Sequence, residues 1–309
     1  MSAVSLQVVA AGITFENPVL LAAGTAAYGR ELADVMSLEA LGGFVTKAVS
    51  LEPRSGAPAP RVADFDGGMI NAVGLANPGV EAVLTEELPW IAANVRRPRV
   101  LVNVVGRETH EFASVIARMD GAPGFHGYEL NVSCPNVKQG GMEFGADPPA
   151  LVELVHGARA ATRKPIFVKL SPTLPNVGDL ARRAVDAGAD GITVINTIPG
   201  LVVDVERRRP VLGFGSGGVS GPGLLAVGVL AVWRVRQAVN VPVLGAGGVQ
   251  RATDIVQYLM AGASAVAIGT AGLADPKLPG RVVTDLARWC ERHGVKRIAD
   301  LIGTLEWPR

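Results

Sequence analysis

Eight short apolar runs, rich in β-branched residues, alternate with longer segments of helical periodicity, and this alternation limits the possible folds. The predicted strands are Val19–Ala23, Phe44–Ala48, Val100–Val104, Gly127–Val132, Ile166–Leu170, Gly191–Ile195, Val241–Gly245 and Ala265–Gly269. Helical patterns follow them near residues 30–41, 78–95, 109–119, 148–162, 176–188, 222–238, 250–262 and 279–293. Continuous apolar strands suit a parallel sheet that is covered on both faces. Eight βα units therefore predict an α/β chain with a (β/α)8 TIM barrel, and an open doubly wound sheet is the alternative.

The rest of the chain fits one repeated architecture. The segment Ala187–Ile192 resembles Ala261–Val266, since in both a helix ends at glycine shortly before a strand. Residues 1–17 are predicted to form a small strand pair at the bottom of the barrel. Two long loops, residues 49–75 and 197–221, follow the second and sixth strands. No linker composition divides the chain, so residues 1–309 are predicted to form a single domain.

Composition excludes several classes of function. The 29 basic and 28 acidic residues leave a net charge of +1, and no basic stripe interleaved with aromatics suggests nucleic-acid binding. The longest apolar run, Pro222–Trp233, is too short to span a bilayer, and the N-terminus lacks a signal-peptide pattern. Two cysteines exclude a disulfide framework, and the histidines lack metal-ligand spacing. We expect a cytoplasmic protein with no metal site, membrane segment or nucleic-acid partner.

Polar residues stand where the predicted strands end. In a TIM barrel the loops at these ends form the active site, so the residues should converge on one mouth. They are Lys47, Asn103, Asn131, Lys169, Asn196 and Thr197, with Asn71 in the first long loop. The last two strands end in the glycine-rich turns Gly245–Gly248 and Gly269–Thr270, where barrels commonly bind phosphate. A phosphate at these turns, with lysines and amides on the other side, fits a flavin mononucleotide (FMN) across the mouth.

The segment Asn131–Gly141 carries the most reactive side chain of the mouth. Pro135 biases the preceding Cys134 toward an extended backbone, and Gly140 and Gly141 indicate a flexible loop. A thiol beside amides at a strand end suits proton transfer; a small cysteine packed in a turn is the alternative.

A glycine-rich decoy lies further along the chain. Residues Gly213–Gly218 match G-x-G-x-x-G, but no strand and helix flank them closely and no acidic residue follows at the required distance. We therefore predict no dinucleotide fingerprint there.

Taken together, the motifs resemble class 1 dihydroorotate dehydrogenases, in order and in register from about Asn17 to Thr270. The matching segments are Thr46–Ala48, Leu51–Arg54, Gly68–Leu75, Asn77–Gly79, Asn131–Val137 and Gly217–Pro222. Lys138–Gly141 with Phe144 and Gly145 further resembles subfamily 1B, the catalytic subunit of the NAD-linked enzyme.

The resemblance implies an FMN-containing barrel that oxidises dihydroorotate to orotate in pyrimidine (UMP) biosynthesis, with Cys134 as the base. It places the substrate on Lys47, Asn71, Ala72, Val73, Gly74, Leu75, Asn131, Asn196 and Thr197. It places FMN on Ala23, Lys47, Ala48, Asn103, Asn131, Lys169, Ile195, Gly221, Gly247, Gly248, Gly269 and Thr270. Where the family usually has serine this chain has Ala23, which can offer only its backbone.

The resemblance also implies partners. Subfamily 1B passes electrons to NAD through a second subunit that carries FAD and a [2Fe–2S] cluster, around a homodimer core in a heterotetramer. Two separated cysteines cannot supply the four thiolates typical of such a cluster within this chain. The alternatives are a fumarate-reducing class 1A enzyme, which shares the cysteine base, and a non-catalytic sensor barrel that binds a phosphate ligand.

Overall fold

The computed structural model of the protein describes residues 4–133, 135–136 and 142–308. Its strands are β1 (Val8–Ala10), β2 (Ile13–Phe15), β3 (Val19–Leu21), β4 (Gly43–Val45), β5 (Val62–Phe65), β6 (Gly68–Asn71), β7 (Arg99–Val104), β8 (Gly127–Asn131), β9 (Pro135–Asn136), β10 (Met142–Glu143), β11 (Ile166–Leu170), β12 (Gly191–Val194), β13 (Ile198–Gly200), β14 (Val203–Asp204), β15 (Arg209–Pro210), β16 (Gly217–Ser220), β17 (Val243–Ala246) and β18 (Ala265–Ile268). Its α-helices are α1 (Arg30–Ala33), α2 (Val80–Ala82), α3 (Leu88–Asn94), α4 (Thr109–Met119), α5 (Pro148–Ala161), α6 (Val177–Asp186), α7 (Leu225–Ala238), α8 (Ala252–Ala261), α9 (Thr270–Ala274) and α10 (Leu278–Arg292).

Eight parallel strands close into a barrel, which confirms the predicted TIM barrel. They run in the order β3, β4, β7, β8, β11, β12, β17 and β18, and β18 pairs with β3 to complete the ring. The observed strands overlap the eight predicted ones. The helical prediction near residues 30–41 was too long, because Ser37 adopts an extended backbone that separates α1 from the 3₁₀ turn Leu38–Ala40.

The strand register decides which side chains face the barrel interior. Asn103 pairs with Glu129, and Glu129 with Phe167, so these three side chains point to the same face. That face is the interior, because the intervening Tyr128 points the other way, toward the outer helices, where its hydroxyl donates to Ile116 O of α4 at 3.4 Å. Inside the barrel Phe167 lies over Gly191, where an added Cβ would lie 2.4 Å from its ring. The glycine therefore gives the large aromatic side chain room inside the barrel.

The N-terminal strand pair lies at the floor of the barrel, as predicted. β1 and β2 form an antiparallel pair, and Arg99 at the start of β7 donates from Nε to the carbonyl oxygen of Thr14 at 2.9 Å. Arg99 also lies 3.1 Å from His126 Nε2. Its position at the beginning of a barrel strand places this cluster opposite the mouth.

The two segments predicted as long loops contain paired strands. β13, β16, β6 and β5 form a four-stranded antiparallel sheet, which we call the mouth sheet. It joins the segment after β4 to the segment after β12, so both belong to one structure at the mouth. Short, glycine-containing strands such as Gly217–Ser220 carry little periodicity, and their partners are distant in sequence.

Membrane-spanning helices are absent from the part of the chain that the structure describes, where no helix is both long and apolar enough to cross a bilayer.

Candidate functional site

A layer of polar side chains lies inside the barrel beneath the mouth, on three adjacent strands. Asn103 on β7 donates from Nδ2 to Glu129 Oε1 at 2.8 Å, and Lys169 Nζ lies 4.0 Å from the same oxygen. The side chains of Glu129 and Lys169 are 1% and 9% exposed. We call Asn103, Glu129 and Lys169 the buried triad. Most polar groups buried at such depth have partners, and each member of the triad is paired within it.

Glu129 was not identified by sequence reasoning. It lies within the predicted strand Gly127–Val132, between the apolar neighbours Tyr128 and Leu130. The sequence does contain a signal for Glu129, which is an acidic residue inside an otherwise apolar strand. A buried carboxylate requires a compensating partner, so such a residue indicates a polar cluster in the interior.

A second polar layer lies closer to the opening. Asn196 donates from Nδ2 to Asn131 Oδ1 at 3.2 Å, and its own Oδ1 accepts from the backbone N–H of Thr197 at 2.9 Å. Asn131 and Asn196 are half-buried. Asn131 pairs in register with Lys169, so this layer continues directly from the buried triad. The structure thus brings together amides that sequence reasoning assigned to substrate.

Lys47 lies just past β4 and is half-buried. Its backbone N–H donates to Ala27 O at 2.8 Å, and its carbonyl oxygen accepts from the Thr46 hydroxyl at 2.8 Å. Thr46 also accepts the backbone N–H of Asn103, which ties this corner to β7. Within the described ranges the Lys47 ammonium makes no ion pair or hydrogen bond, so its charge is available to a ligand.

The corner after Lys47 is held by a buried phenol. Tyr28 donates from its hydroxyl to the carbonyl oxygen of Ala48 at 3.0 Å. Burial raises the pKa of Tyr28 far above its ordinary value, and the nearby carboxylates of Glu87 and Glu31 raise it further. The phenol therefore stays protonated and keeps donating. Ala23, which the resemblance assigns to FMN, is half-buried and lies just after β3.

The glycine-rich turns lie at the ends of β17 and β18, on the other side of the mouth. Gly247 and Gly248 have φ angles of +122° and +71°, which favour glycine. Their backbone N–H groups find no acceptor elsewhere in the described part of the chain. Tyr258 donates to the Gly247 carbonyl oxygen at 2.8 Å. Burial, followed by the Asp254 carboxylate, raises the pKa of Tyr258 strongly, so this support also remains protonated.

Two hydroxyls connect the last strand to the mouth sheet. Thr270 donates to Ser220 Oγ at 2.7 Å, and Ser220 donates to Met69 O at 3.4 Å. Gly221 follows with a φ of +136°, and an added Cβ there would lie 2.6 Å from the Cα of Gly68. Ser220 and Tyr258 are both supports that sequence reasoning missed.

Two further residues assigned to FMN lie at the ends of barrel strands. Gly269 lies at the start of α9. Ile195 is buried, and its N–H donates to Ala246 O at 3.1 Å.

The mouth sheet carries the predicted segment from Asn71 to Leu75. Asn71 donates from Nδ2 to the carbonyl oxygen of Gly218 at 3.2 Å. The backbone beyond it is held by hydrogen bonds from Ala72 N to Arg61 O at 2.8 Å and from Ala57 N to Val73 O at 3.1 Å.

The turn that ends this segment is tied down by an amide. Gly74 and Leu75 have φ angles of +71° and +56°. Buried Asn77 donates from Nδ2 to Leu75 O at 2.8 Å and bonds Ser50. Asn77 therefore fixes the predicted substrate segment, a role that sequence reasoning did not assign.

The predicted base, Cys134, lies outside the described residues, and so do Lys138–Gly141. The chain that leads to Cys134 is described. Val132 accepts from Gly145 N at 2.9 Å, and Ser133 Oγ is buried without a hydrogen-bond partner in the described ranges. No cluster of three or more His, Cys, Asp or Glu residues that could hold a metal ion occurs among the same residues.

The chain is similar to proteins of one family over nearly its whole length. It is 46% identical over 296 residues to "Dihydroorotate dehydrogenase B (NAD(+)), catalytic subunit" from Pelobacter propionicus, covering 96% of this chain and 97% of the relative. A protein of the same name from Desulforudis audaxviator is 45% identical over 300 residues, or 97% of each chain. A crystal structure of DHODH from Eimeria tenella in complex with ferulenol has a TM-score of 0.82 at 23% identity, covering 97% of this chain and 88% of that one, which supports the fold. The family model of dihydroorotate dehydrogenase matches residues 5–289, and this chain belongs to that family.

Proposed function

We propose that this chain oxidises dihydroorotate to orotate on a bound FMN and passes the electrons through a partner subunit to NAD. The observation that carries the proposal is the pair of stacked polar layers, the buried triad and the amides above it, facing a mouth that also holds Lys47. Relatives that are 41–46% identical have the type B (NAD(+)) name, which favours NAD over fumarate as acceptor. Residues 1–309 act as the one FMN-binding domain.

Three features of the structure fit FMN, on which dihydroorotate dehydrogenases in general depend. The successive N–H groups of Gly247 and Gly248 supply the donor pattern that binds phosphate. Lys169 is a buried cation whose one ion pair among the described residues is 4.0 Å long, so it retains donors for a ring oxygen or nitrogen. Asn103 donates one Nδ2 hydrogen to Glu129, and its Oδ1 remains available to accept from an N–H of the flavin ring. The remaining flavin contacts are assigned to Ala23, Lys47, Ala48, Asn131, Ile195, Gly221, Gly269 and Thr270.

The residues of the upper layer hold the substrate in this assignment. Lys47 offers its charge to the orotate carboxylate. The amides of Asn71, Asn131 and Asn196, with Thr197, match the carbonyl and N–H groups of the pyrimidine ring. The backbone from Ala72 to Leu75 closes the remaining side.

Cys134 acts as the general base. As thiolate it removes the proton from C5 of dihydroorotate, while a hydride leaves C6. FMN, when bound, supplies the acceptor for that hydride. Lys169 offsets the negative charge that arises on reduction. The mouth sheet and the amide layer hold C5 in reach of the thiolate and limit the access of water.

Onward electron transfer requires a second protein. The relatives are named as catalytic subunits, which supports a separate electron-transfer subunit. That subunit carries FAD, a [2Fe–2S] cluster and the NAD site, and two catalytic chains form the homodimer core.

The experiment is anaerobic mixing of the purified protein with dihydroorotate, followed by acceptor assays. We expect a yellow protein with non-covalent FMN that dihydroorotate bleaches. NADH should form only after the iron–sulfur flavoprotein is added. Efficient fumarate reduction would favour the class 1A alternative, and a protein that cannot be reconstituted with FMN would favour the phosphate sensor.

A further inference from the structure

We propose that Glu129 is a positioning residue for the flavin, which sets the orientation of Asn103 and whose negative charge holds down the reduction potential of bound FMN. The proposal rests on the assignment of FMN to this barrel. It concerns a residue that contacts other protein side chains in the structure and acts through them.

The orientation of Asn103 follows from the chemistry of its partner. A carboxylate only accepts hydrogen bonds, so the amide must turn its Nδ2 toward Glu129 Oε1, at 2.8 Å. The Asn103 backbone N–H is held separately, by the Thr46 hydroxyl at 3.2 Å. Backbone and side chain are thus fixed from two sides, and Oδ1 remains as an acceptor for a ligand N–H. Without the carboxylate, either face of the amide could turn toward the mouth.

The charge of Glu129 balances that of Lys169. Both side chains are almost fully buried, where an unpaired charge is strongly destabilised. The 4.0 Å separation makes them an ion pair without a direct hydrogen bond, so the ammonium stays free to donate elsewhere. The pair has no net charge, and the flavin therefore meets a cation whose field is largely offset.

Reduction makes this balance measurable. Bound FMN would supply the acceptor for the hydride that leaves C6 of dihydroorotate, while Cys134 would take the C5 proton. The two electrons of that hydride would add one negative charge beside Lys169, which would stabilise it, and beside Glu129, which would oppose it. Removing the charge of Glu129 should favour the reduced form and raise the potential, which would make onward transfer to NAD less favourable.

The test is a redox titration of the bound flavin in Glu129→Gln against a reference dye. This substitution keeps the size of the side chain and its carbonyl acceptor but removes the charge. We expect the ratio of reduced to oxidised flavin at a given potential to rise about tenfold, which is about 30 mV for a two-electron couple. Asp190→Asn is the control, because Asp190 precedes β12 at the floor and its loss removes the same charge far from the mouth.

The outcomes separate the possibilities. A folded Glu129→Gln protein with bound FMN at the wild-type potential, or an equal shift in Asp190→Asn, would overturn the proposal. Where Glu129→Gln yields no flavoprotein, Glu129→Asp decides, since it keeps the charge. If Glu129→Asp binds FMN and the flavin has nearly the wild-type potential, the proposal is supported. If Glu129→Asp also fails to bind FMN, Glu129 has a packing role instead. A wild-type protein that binds no FMN would overturn the proposed function itself.

Discussion

The two ends of the barrel both contain cationic side chains, but these differ in how many hydrogen bonds they make to the protein. At the floor, Arg159 bonds Asp190 Oδ2 at 2.7 Å and the carbonyl oxygens of Thr162 and Lys164 at 2.6 and 2.9 Å. At the mouth, Lys47 and Lys169 make no hydrogen bond from their ammonium groups within the described part of the chain. Most polar groups at the floor bond other parts of the fold, although Arg159 Nε has no hydrogen-bond partner among the described residues. The lysine ammonium groups at the mouth keep their hydrogen-bonding capacity for a ligand. Substitutions should therefore alter stability at one end and binding or catalysis at the other.

Cys134→Ser tests the strongest form of this contrast. We expect dihydroorotate to reduce the flavin about 10²–10⁴-fold more slowly near neutral pH, because a hydroxyl is a far weaker base than a thiolate. The rate should recover in part at high pH. Stopped-flow absorbance measures it. Cys290→Ser is the matched control, since Cys290 is fully buried on α10, where burial raises the pKa of its thiol. That variant should lose stability and keep its rate; an unchanged rate in Cys134→Ser would remove the base assignment.

Lys47→Ala should weaken orotate binding by about tenfold to a hundredfold, the range expected for a lost hydrogen bond to a charged group. Titration of the bound flavin spectrum with orotate measures the dissociation constant. Lys164→Ala is the floor counterpart, because Lys164 bonds the carbonyl oxygen of Asp120 and pairs with its carboxylate. Equal affinities in the wild type and Lys47→Ala would contradict the difference between the two ends.

Substitution of a helical glycine near each end of the barrel tests how closely the helices pack there. A Cβ at Gly228 on α7 would lie 1.8 Å from the Tyr258 hydroxyl, which holds Gly247. We expect Gly228→Ala to lower the free energy of unfolding by about 1–3 kcal/mol through overpacking, and to weaken FMN binding. Gly157→Ala on α5 would meet only Ala113 Cβ at 3.7 Å and should raise the free energy by about 0.5–1 kcal/mol. Denaturant-induced unfolding measures the stability of both variants, and FMN titration measures their affinity for FMN. Wild-type affinity for FMN in Gly228→Ala would show that Tyr258 does not support the glycine-rich turn at Gly247 as a phosphate site.

The smallest effect concerns pH at the floor. Burial lowers the pKa of His126, and the Arg99 cation lowers it further. The unfolded chain therefore binds a proton more readily, below about pH 6.5, than the folded one. This contribution to stability is fully present above that pH and is lost as the pH falls through the folded pKa. His126→Asn should flatten the fall in melting temperature between about pH 6.5 and 5. A fall as steep as in the wild type would remove His126 from the acid dependence.

The barrel could be predicted from sequence, whereas parts of the site could not. Strands such as Ile166–Leu170 are short apolar runs bounded by turn residues, a pattern that is local and readable. The ends of those runs also marked Lys47, Asn131 and Lys169. Glu129 was missed because it lies inside such a run. The partner that makes its burial possible, Asn103, lies on another strand and cannot be inferred from the local sequence.

The mouth sheet was missed for a related reason. β6 pairs with β16, so its hydrogen bonds depend on chain that is far away in sequence. Local patterns contain no information on such pairing, and the segments that form the sheet were interpreted as loops. The family resemblance assigned Asn71 to the site without predicting the strand that carries it.

The same long-range pairing has a consequence for how the protein is made. The amide of Asn71 bonds the carbonyl oxygen of Gly218, 147 residues later. Contacts of such high sequence separation incur a large loop-closure entropy and tend to form late in folding. A chain emerging from the ribosome cannot complete this sheet until Gly218 has been synthesised. The last third of the chain then adds β17 and β18, so the protein acquires its capacity to hold ligands only near the end of its own synthesis.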